Sequence, residues 1–242
     1  MTFNFVKLPE LDFDLNAVTT ESGRTYETPT GEKYPSITTV LSSYNKKALF
    51  EWRRKVGEEE ANRIARMASS RGTKLHNAVE KYLLNEMSEL KMKSMMPDTK
   101  ELFYKLKPML DGNVGSIYGI EQPLYSHRLK VAGRCDCIAE WDGELSIVDW
   151  KTSTNPKSKE KIENYFMQAA AYSEMFEEIT KRPINNIVIA IAVEGAEPQL
   201  FREEKTKYIP LLTQYLERYY NEKTTGSPSN ITSDGIFSSV NK

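Results

Sequence analysis

Residues 130–153 have the sequence KVAGRCDCIAEWDGELSIVDWKTS, which predicts a β-hairpin. The Asp142-Gly143 dipeptide is a strong signal for a two-residue turn, because both central positions of a type I′ turn need a positive φ. Apolar and β-branched residues on either side of it favour strands. With this dipeptide as the turn, Asp136 faces Asp149 across the hairpin, and both lie on one face of the sheet.

The two facing carboxylates indicate a metal site. Like charges directly opposite each other destabilise a sheet, and poorly hydrated carboxylates need a proton or a cation between them. The two-residue period of a strand places Lys151 on the same face as Asp149. Carboxylates suit Mg²⁺ or Mn²⁺, and a nearby lysine stabilises a phosphoryl transition state or helps to deprotonate water. The alternative is a surface hairpin in which Lys151 only pairs with Asp149.

The sequence on both sides of the hairpin predicts further strands and helices. Apolar residues at three-to-four spacing indicate a helical region over 47–84, which Gly72 breaks or packs closely, and Ser36 is a candidate N-cap of a shorter helix before it. The other predicted elements are a short hairpin within 24–35, strands at 118–126, 185–195 and 198–204, and helices at about 159–181 and 209–219.

This order of elements predicts an α/β fold in one domain, with a mixed β-sheet flanked by helices. No internal repeat or low-complexity linker divides the chain. The predicted domain covers 1–222, followed by a disordered tail at 223–242. Within the domain we expect a helical or irregular N-terminal extension at 1–70, a catalytic core at 71–205 and a C-terminal helix at 206–222.

The charge balance excludes a protein that coats nucleic acid through bulk charge, because 33 Lys and Arg residues oppose 34 Asp and Glu residues. One segment nevertheless has a local excess of positive charge, because residues 46–74 hold nine basic and four acidic residues. Such a stretch can bind phosphates, and the alternative is a solvated helix face. The candidate DNA-binding residues are Arg66, Arg71, Lys74 and, on the hairpin, Arg134.

The two cysteines exclude a disulfide scaffold and a cysteine-only zinc site. Cys135 and Cys137 are two apart on a predicted strand, so their side chains should point the same way. A reducing cytoplasmic setting is the simplest explanation. The N-terminal sequence lacks the apolar core of a signal peptide, and no apolar run approaches the roughly 18 residues of a membrane span.

Four further residues are weak signals individually. His76 follows Gly72 near a helix start, Glu121 lies on the strand before the hairpin, and Gln168 and Tyr172 share one face of a predicted helix. Each has an ordinary structural explanation when it is considered alone.

Together these residues resemble the RecB-like branch of the PD-(D/E)XK nuclease superfamily. The resemblance covers about residues 34–176 and extends to small stand-alone members, such as phage-encoded and mitochondrial exonucleases. The matching motifs are Gly72-x-x-x-His76, Gly133-x-x-Asp136, Asp149-x-Lys151 and Gln168-x-x-x-Tyr172. The nominal proline before the first aspartate is Cys135 here, a position that is loosely kept in the superfamily.

The resemblance implies a restriction-endonuclease-like fold and a role for each matched residue. Asp136 and Asp149 would be metal ligands, His76 an additional ligand, and Lys151 the catalytic lysine. Gln168 and Tyr172 would line the catalytic site. Glu121 matches a strand acid of the superfamily less securely and is a further candidate. The implied cofactor is Mg²⁺ or Mn²⁺.

The resulting hypothesis is a metal-dependent deoxyribonuclease that acts as an exonuclease on single-stranded DNA ends, through metal-activated water. Its partners would be DNA and, in addition, replication or recombination proteins. The first alternative is a structure-specific or defence-type endonuclease of the same superfamily. The second is a non-catalytic DNA-binding subunit, which the intact Asp, Asp, Lys and His set disfavours.

Overall fold

The computed structural model describes residues 2–225 and begins with a small antiparallel sheet. This sheet has the order β1 (Asn16–Thr20), β2 (Gly23–Glu27) and β3 (Lys33–Pro35). The predicted hairpin within 24–35 is therefore confirmed, and it has an additional strand. Helices α1 (Ile37–Ser43), α2 (Lys46–Val56), α3 (Glu58–Leu83), α4 (Glu89–Lys93) and α5 (Pro97–Asn113) follow.

A five-stranded mixed sheet forms the centre of the molecule. Its strands lie in the order β4 (Val114–Ser126), β5 (Val131–Trp141), β6 (Glu144–Ser153), β7 (Asn186–Val193) and β8 (Gln199–Glu204). All neighbours are antiparallel except β6 and β7, which are parallel and are joined by α6 (Glu163–Thr180). Helix α7 (Ile209–Thr225) follows the last strand. The predicted mixed sheet with a crossover helix is confirmed.

The sheet separates two apolar clusters, because its central strands β5, β6 and β7 are buried on both faces. One cluster joins the sheet to α1, α6 and α7, and the other joins it to α3 and α5. Representative buried members are Val40, Phe166, Ile189 and Leu212 in the first cluster and Leu75, Phe103, Val148 and Ala190 in the second. The protein therefore has three layers, with helices on each side of the sheet.

The hairpin turn has the geometry that its sequence predicts. Asp142 has a φ of 51° and Gly143 a φ of 82°, as a type I′ turn requires. The predicted register is confirmed from Trp141, which pairs with Glu144, as far as Cys137, which pairs with Val148.

The prediction for Gly72, a break or a close contact in the helical region, needs correction. Helix α3 runs through Gly72 without a break, and an added Cβ there would meet no atom within 4 Å. The helical region is instead divided at Gly57, whose φ of 89° and ψ of 147° end α2. A glycine tolerates this conformation, which side chains disfavour.

The prediction that Cys135 and Cys137 point the same way is wrong. Cys135 packs in the cluster on the α6 side of the sheet, whereas Cys137 packs in the cluster with α3 and α5. The alternation of faces along β5 is therefore interrupted at Asp136. Both thiols are free and buried.

The N-terminal region is more regular than expected, and it is fastened to the central sheet. Phe5 forms a parallel bridge with Ile117 of β4, and Ser36 forms one with Ala132 of β5. Most of the tail predicted to be disordered, 226–242, lies outside the described residues. Within 2–225, no helix is long and apolar enough to cross a membrane.

Candidate active site

The β5–β6 ladder ends one residue before the two aspartates. Beyond its last pair, Asp136 Oδ2 accepts a 2.9 Å hydrogen bond from the backbone N–H of Trp150. A side-chain contact thus replaces the regular backbone pairing between the strands. Asp136 is only 8% exposed, so this contact fixes a buried carboxylate.

His76 on α3 contacts the backbone of the same residue, Trp150, at its carbonyl oxygen. Its Nε2 lies 2.8 Å from the carbonyl oxygen of Trp150, and its Nδ1 lies 3.6 Å from Asp136 Oδ2. Because a carbonyl oxygen only accepts, Nε2 must carry the proton in a neutral ring, and Nδ1 keeps its lone pair near the carboxylate. The backbone of Trp150 therefore orients both His76 and Asp136.

Glu121 on β4 adds a third possible metal ligand. One ligand atom each from His76, Glu121 and Asp136 lies within 4.8 Å of the other two. The φ of Glu121 is 47°, in the left-handed region that glutamate rarely adopts, and the β4–β5 register skips this residue. Burial, together with the nearby Asp136, raises the pKa of Glu121 to about 7.

Asp149 and Lys151 lie beside this cluster on β6. Lys151 Nζ forms an ion pair with Asp149 Oδ2, and the Asp149 side chain is 1% exposed. Neither Asp149 oxygen has a hydrogen bond of acceptable geometry among the described residues. Burial raises the pKa of Asp149 to about 6, although Lys151 opposes this shift. Burial also disfavours the charge of Lys151, but the two aspartates outweigh it and raise the lysine's pKa.

Helix α6 places three polar residues on the face that packs near Lys151. The Lys151 Nζ lies 5.1 Å from the centre of the Tyr165 ring, within the range of a cation–π contact. Gln168 Nε2 donates to Tyr172 Oη at 3.4 Å. Tyr172 packs so closely on Gly133 that an added Cβ would lie 2.8 Å from its ring. This contact explains the glycine in the matched motif.

A cavity of about 590 Å³ adjoins the cluster on the side of α3. Glu80 lines it and was not among the predicted site residues, although it lies four residues after His76 on the same helix face. That spacing is the signal that could have found it. The full lining consists of Gly72, Thr73, His76, Asn77, Glu80, Glu121 and Arg134.

The four predicted DNA-binding residues differ in their exposure and in their contacts. Arg71 pairs with Glu194, and Lys74 with Asp98, each at 3.0 Å. Arg134 donates hydrogen bonds to the Glu121 carbonyl oxygen and to Asp14. Arg66 is exposed on α3.

The residues present fit a hard divalent cation. A buried carboxylate oxygen without a partner is costly unless a cation or a proton compensates it. Among the described residues Asp149 Oδ1 has no partner, whereas Oδ2 is paired with the Lys151 ammonium group. The neighbouring donors are carboxylates, which suit Mg²⁺ and Mn²⁺, and one imidazole nitrogen, a softer ligand that favours Mn²⁺ over Mg²⁺.

Two curated relatives match the sequence. The human protein named mitochondrial genome maintenance exonuclease 1 is 25% identical over 214 residues, which are 78% of this chain and 60% of the human protein. The mouse protein of the same name is 39% identical over 44 residues, or 18% of this chain and 13% of the mouse protein. The chain thus spans about 60% of the length of its human relative.

A solved structure shows a distant likeness. It is the crystal structure of a candidate exonuclease from Eubacterium rectale, with 14% identity and a TM-score of 0.41. The alignment covers 64% of this chain and 68% of that one.

The sequence profile of the PD-(D/E)XK nuclease superfamily matches residues 100–226, which contain Asp136, Asp149 and Lys151 but not His76. The mixed sheet with helices on both sides agrees with the restriction-endonuclease-like fold predicted from the motifs. Because the profile covers more than half of the sequence, this chain belongs to the PD-(D/E)XK nuclease superfamily.

Proposed function

We propose that this protein is a Mg²⁺- or Mn²⁺-dependent DNA exonuclease that hydrolyses phosphodiester bonds from single-stranded ends. The observation that carries this proposal is the buried Asp149 carboxylate. Its Oδ1 has no hydrogen bond among the described residues, its Oδ2 pairs with Lys151, and Asp136 and His76 of the neighbouring cluster are close enough to shift its pKa. The names of the human and mouse relatives support an exonuclease over an endonuclease.

In this proposal Asp136 and Asp149 hold the cation, with His76 and Glu121 as additional ligands. A bound Mg²⁺ or Mn²⁺ supplies Lewis-acid chemistry, which lowers the pKa of water and offsets phosphate charge. The Trp150 backbone keeps the His76 proton on Nε2, so that Nδ1 remains free to bind.

Lys151 acts as a fixed positive charge in this arrangement. Its raised pKa keeps the side chain protonated, so it stabilises negative charge on the phosphoryl group instead of removing a proton from water. Gln168 and Tyr172 support this side of the site from α6, because Tyr172 packs on the strand that carries Asp136.

The DNA would approach along α3. Arg66, Arg71 and Lys74 precede His76 on that helix, so phosphates bound to them would lead towards the cluster. Arg71 and Lys74 would exchange their carboxylate partners for phosphates in the process.

A nuclease assay tests the proposal. Linear single-stranded, linear duplex and circular single-stranded DNA are incubated with Mg²⁺, Mn²⁺ or EDTA, using the wild-type protein and the Lys151→Ala variant. We expect metal-dependent loss of the linear single strand only, and none with Lys151→Ala. The matched control is Lys33→Ala, an exposed lysine on β3 that should cleave as the wild type does.

Two other results would contradict the proposal. Cutting of the circular strand would identify an endonuclease, because an exonuclease needs an end. Binding of DNA without cleavage of any substrate would identify a DNA-binding subunit.

A further inference from the structure

Arg134 lies on β5, two residues before Asp136, and its guanidinium group is engaged at two positions. Its Nη1 donates a 3.0 Å hydrogen bond to the carbonyl oxygen of Glu121, and its Nη2 donates a 2.7 Å hydrogen bond to Asp14 Oδ1. The first contact is to backbone and the second is to a charged side chain. The arginine therefore connects β4 to a segment more than 100 residues earlier in the chain.

The acceptor of the first contact has an unusual backbone. Glu121 is left-handed at φ 47°, and the β4–β5 register passes over it. A glutamate remains in such a conformation only where its surroundings hold it. If Glu121 returned to an extended conformation, its peptide would rotate and its carboxylate would leave the position within 4.8 Å of His76 and Asp136.

The N-terminal segment also contacts the residue that follows Glu121. Gln122, directly after Glu121, donates from Nε2 to the carbonyl oxygen of Leu11 at 3.0 Å. Leu11 is buried in the apolar cluster on the α6 side of the sheet. The N-terminal segment thus contacts the surroundings of Glu121 twice: Asp14 binds the Arg134 side chain, and the Leu11 carbonyl binds the Gln122 side chain.

We propose that Arg134 is a positioning residue, which holds the left-handed backbone of Glu121 and thereby keeps its carboxylate in the metal-binding cluster, while Asp14 secures the arginine. This inference rests on the proposed function, because it requires Glu121 to bind the cation. It replaces the predicted role of Arg134 as a contact to DNA.

Calorimetric Mn²⁺ binding in the absence of DNA tests the inference. The wild type is compared with Arg134→Met, Glu121→Gln and the double variant. We expect Arg134→Met to weaken Mn²⁺ binding about tenfold, as loss of a residue that orients a ligand does. In the Glu121→Gln background the same change should have no further effect, because the carboxylate that Arg134 positions is absent.

Further variants separate positioning from general destabilisation. Arg134→Lys keeps the charge but loses the fork that reaches two acceptors, so its affinity should fall between those of the wild type and Arg134→Met. Arg202→Met is the matched control, because it removes an arginine that pairs with Asp142 at the opposite end of β5. It should leave Mn²⁺ affinity unchanged. If Arg134→Met does not fold, Asp14→Asn provides the same comparison, with a smaller expected loss.

Three results would overturn this inference alone. Equal losses with and without the Glu121 carboxylate would mean that Arg134 does not act through it. Unchanged Mn²⁺ affinity with a raised KM for DNA would restore the role of Arg134 as a DNA contact. Unchanged affinity in Glu121→Gln would remove that residue from the ligands. Absence of Mn²⁺ binding by the wild type would instead contradict the proposed function itself, and this inference with it.

Discussion

The two ends of the β5–β6 hairpin are built in different ways. At the turn, the backbone ladder is continuous, Asp142 and Gly143 adopt the positive φ values that their turn needs, and the Asp142 charge pairs with Arg202 near the surface. At the other end the ladder stops, and the buried Asp149 has an ion pair with Lys151 but no hydrogen bond of acceptable geometry within residues 2–225. At the turn end, backbone and charged groups have favourable partners, whereas at the other end a carboxylate is buried at a cost in stability.

This difference locates function in the molecule. Buried carboxylates without hydrogen bonds reduce stability, and a sequence selected for folding alone would replace them. The turn end contributes stability and register, which fix where Asp136 and Asp149 lie. The hairpin thus combines a stabilising half and a destabilising half in one element.

The largest expected effect comes from removing the charges at the open end. The Asp149→Leu/Lys151→Met double variant should lose at least about 10³-fold in DNA cleavage. In EDTA its free energy of unfolding should equal that of the wild type or exceed it by about 1–4 kcal/mol, because apolar residues often stabilise a protein when they replace a buried ion pair. Urea denaturation measures this. A double variant less stable than the wild type would show that the ion pair stabilises the fold.

A glycine-to-alanine substitution at the open end of the hairpin should have an intermediate effect. Gly133→Ala places a Cβ 2.8 Å from the buried Tyr172 ring, and this overpacking should cost about 1–3 kcal/mol. Cleavage should fall as well, because Tyr172 must move away from the strand that carries Asp136. Thermal unfolding and the nuclease assay provide the two measurements. Wild-type stability in Gly133→Ala would mean that the helix adjusts without cost.

The pH dependence of stability should also reflect the open end. The pKa of Glu121 is raised from 4.5 to about 7 and that of Asp149 from 3.8 to about 6. The folded protein therefore binds these protons more tightly than the unfolded chain does, and their contribution to stability is lost as pH rises through these intervals. In EDTA, the unfolding free energy should fall as pH rises from 3.8 to about 7.

Two comparisons sharpen this test. Glu121→Gln should flatten the decline, because glutamine does not titrate. Saturating Mn²⁺ should reverse it, because the cation competes with protons for the same ligands. A decline of equal slope in Glu121→Gln would assign it to other groups.

The smallest expected effect is at the turn. Gly143→Ala meets no atom within 4 Å but forces alanine to a φ of 82°, which should cost about 1 kcal/mol. Cleavage per folded molecule should remain at the wild-type rate. A loss of catalysis as large as that of Gly133→Ala would show that the two ends are not separable.

The sequence allowed the central sheet to be predicted because local signals determine it. Asp142-Gly143 specifies the turn, the turn specifies the register, and the register brings the two aspartate segments together. Helix α5 was missed although its signals are present. Pro97 stands at its first turn, and Leu102, Phe103, Leu106 and Leu110 follow helical spacing.

The details of the site could not be predicted from the sequence. Period two assumes a regular strand, and it fails where Asp136 interrupts the alternation between Cys135 and Cys137. The left-handed backbone of Glu121 has no local signal, because it depends on contacts with Arg134 and the distant N-terminal segment. The role of the Trp150 backbone also depends on tertiary structure, since its C=O and N–H meet His76 and Asp136 only in the folded chain.

The change of face between the two cysteines gives the molecule a natural pair of chemical reporters. Burial raises the pKa of both thiols, so alkylating reagents, which attack thiolates, should react only when the structure opens. Cys135 becomes accessible when the α6 layer separates from the sheet, and Cys137 when the α3 and α5 layer does. Because the chain has no other cysteine, the two labelling rates record which layer opens first, without any substitution.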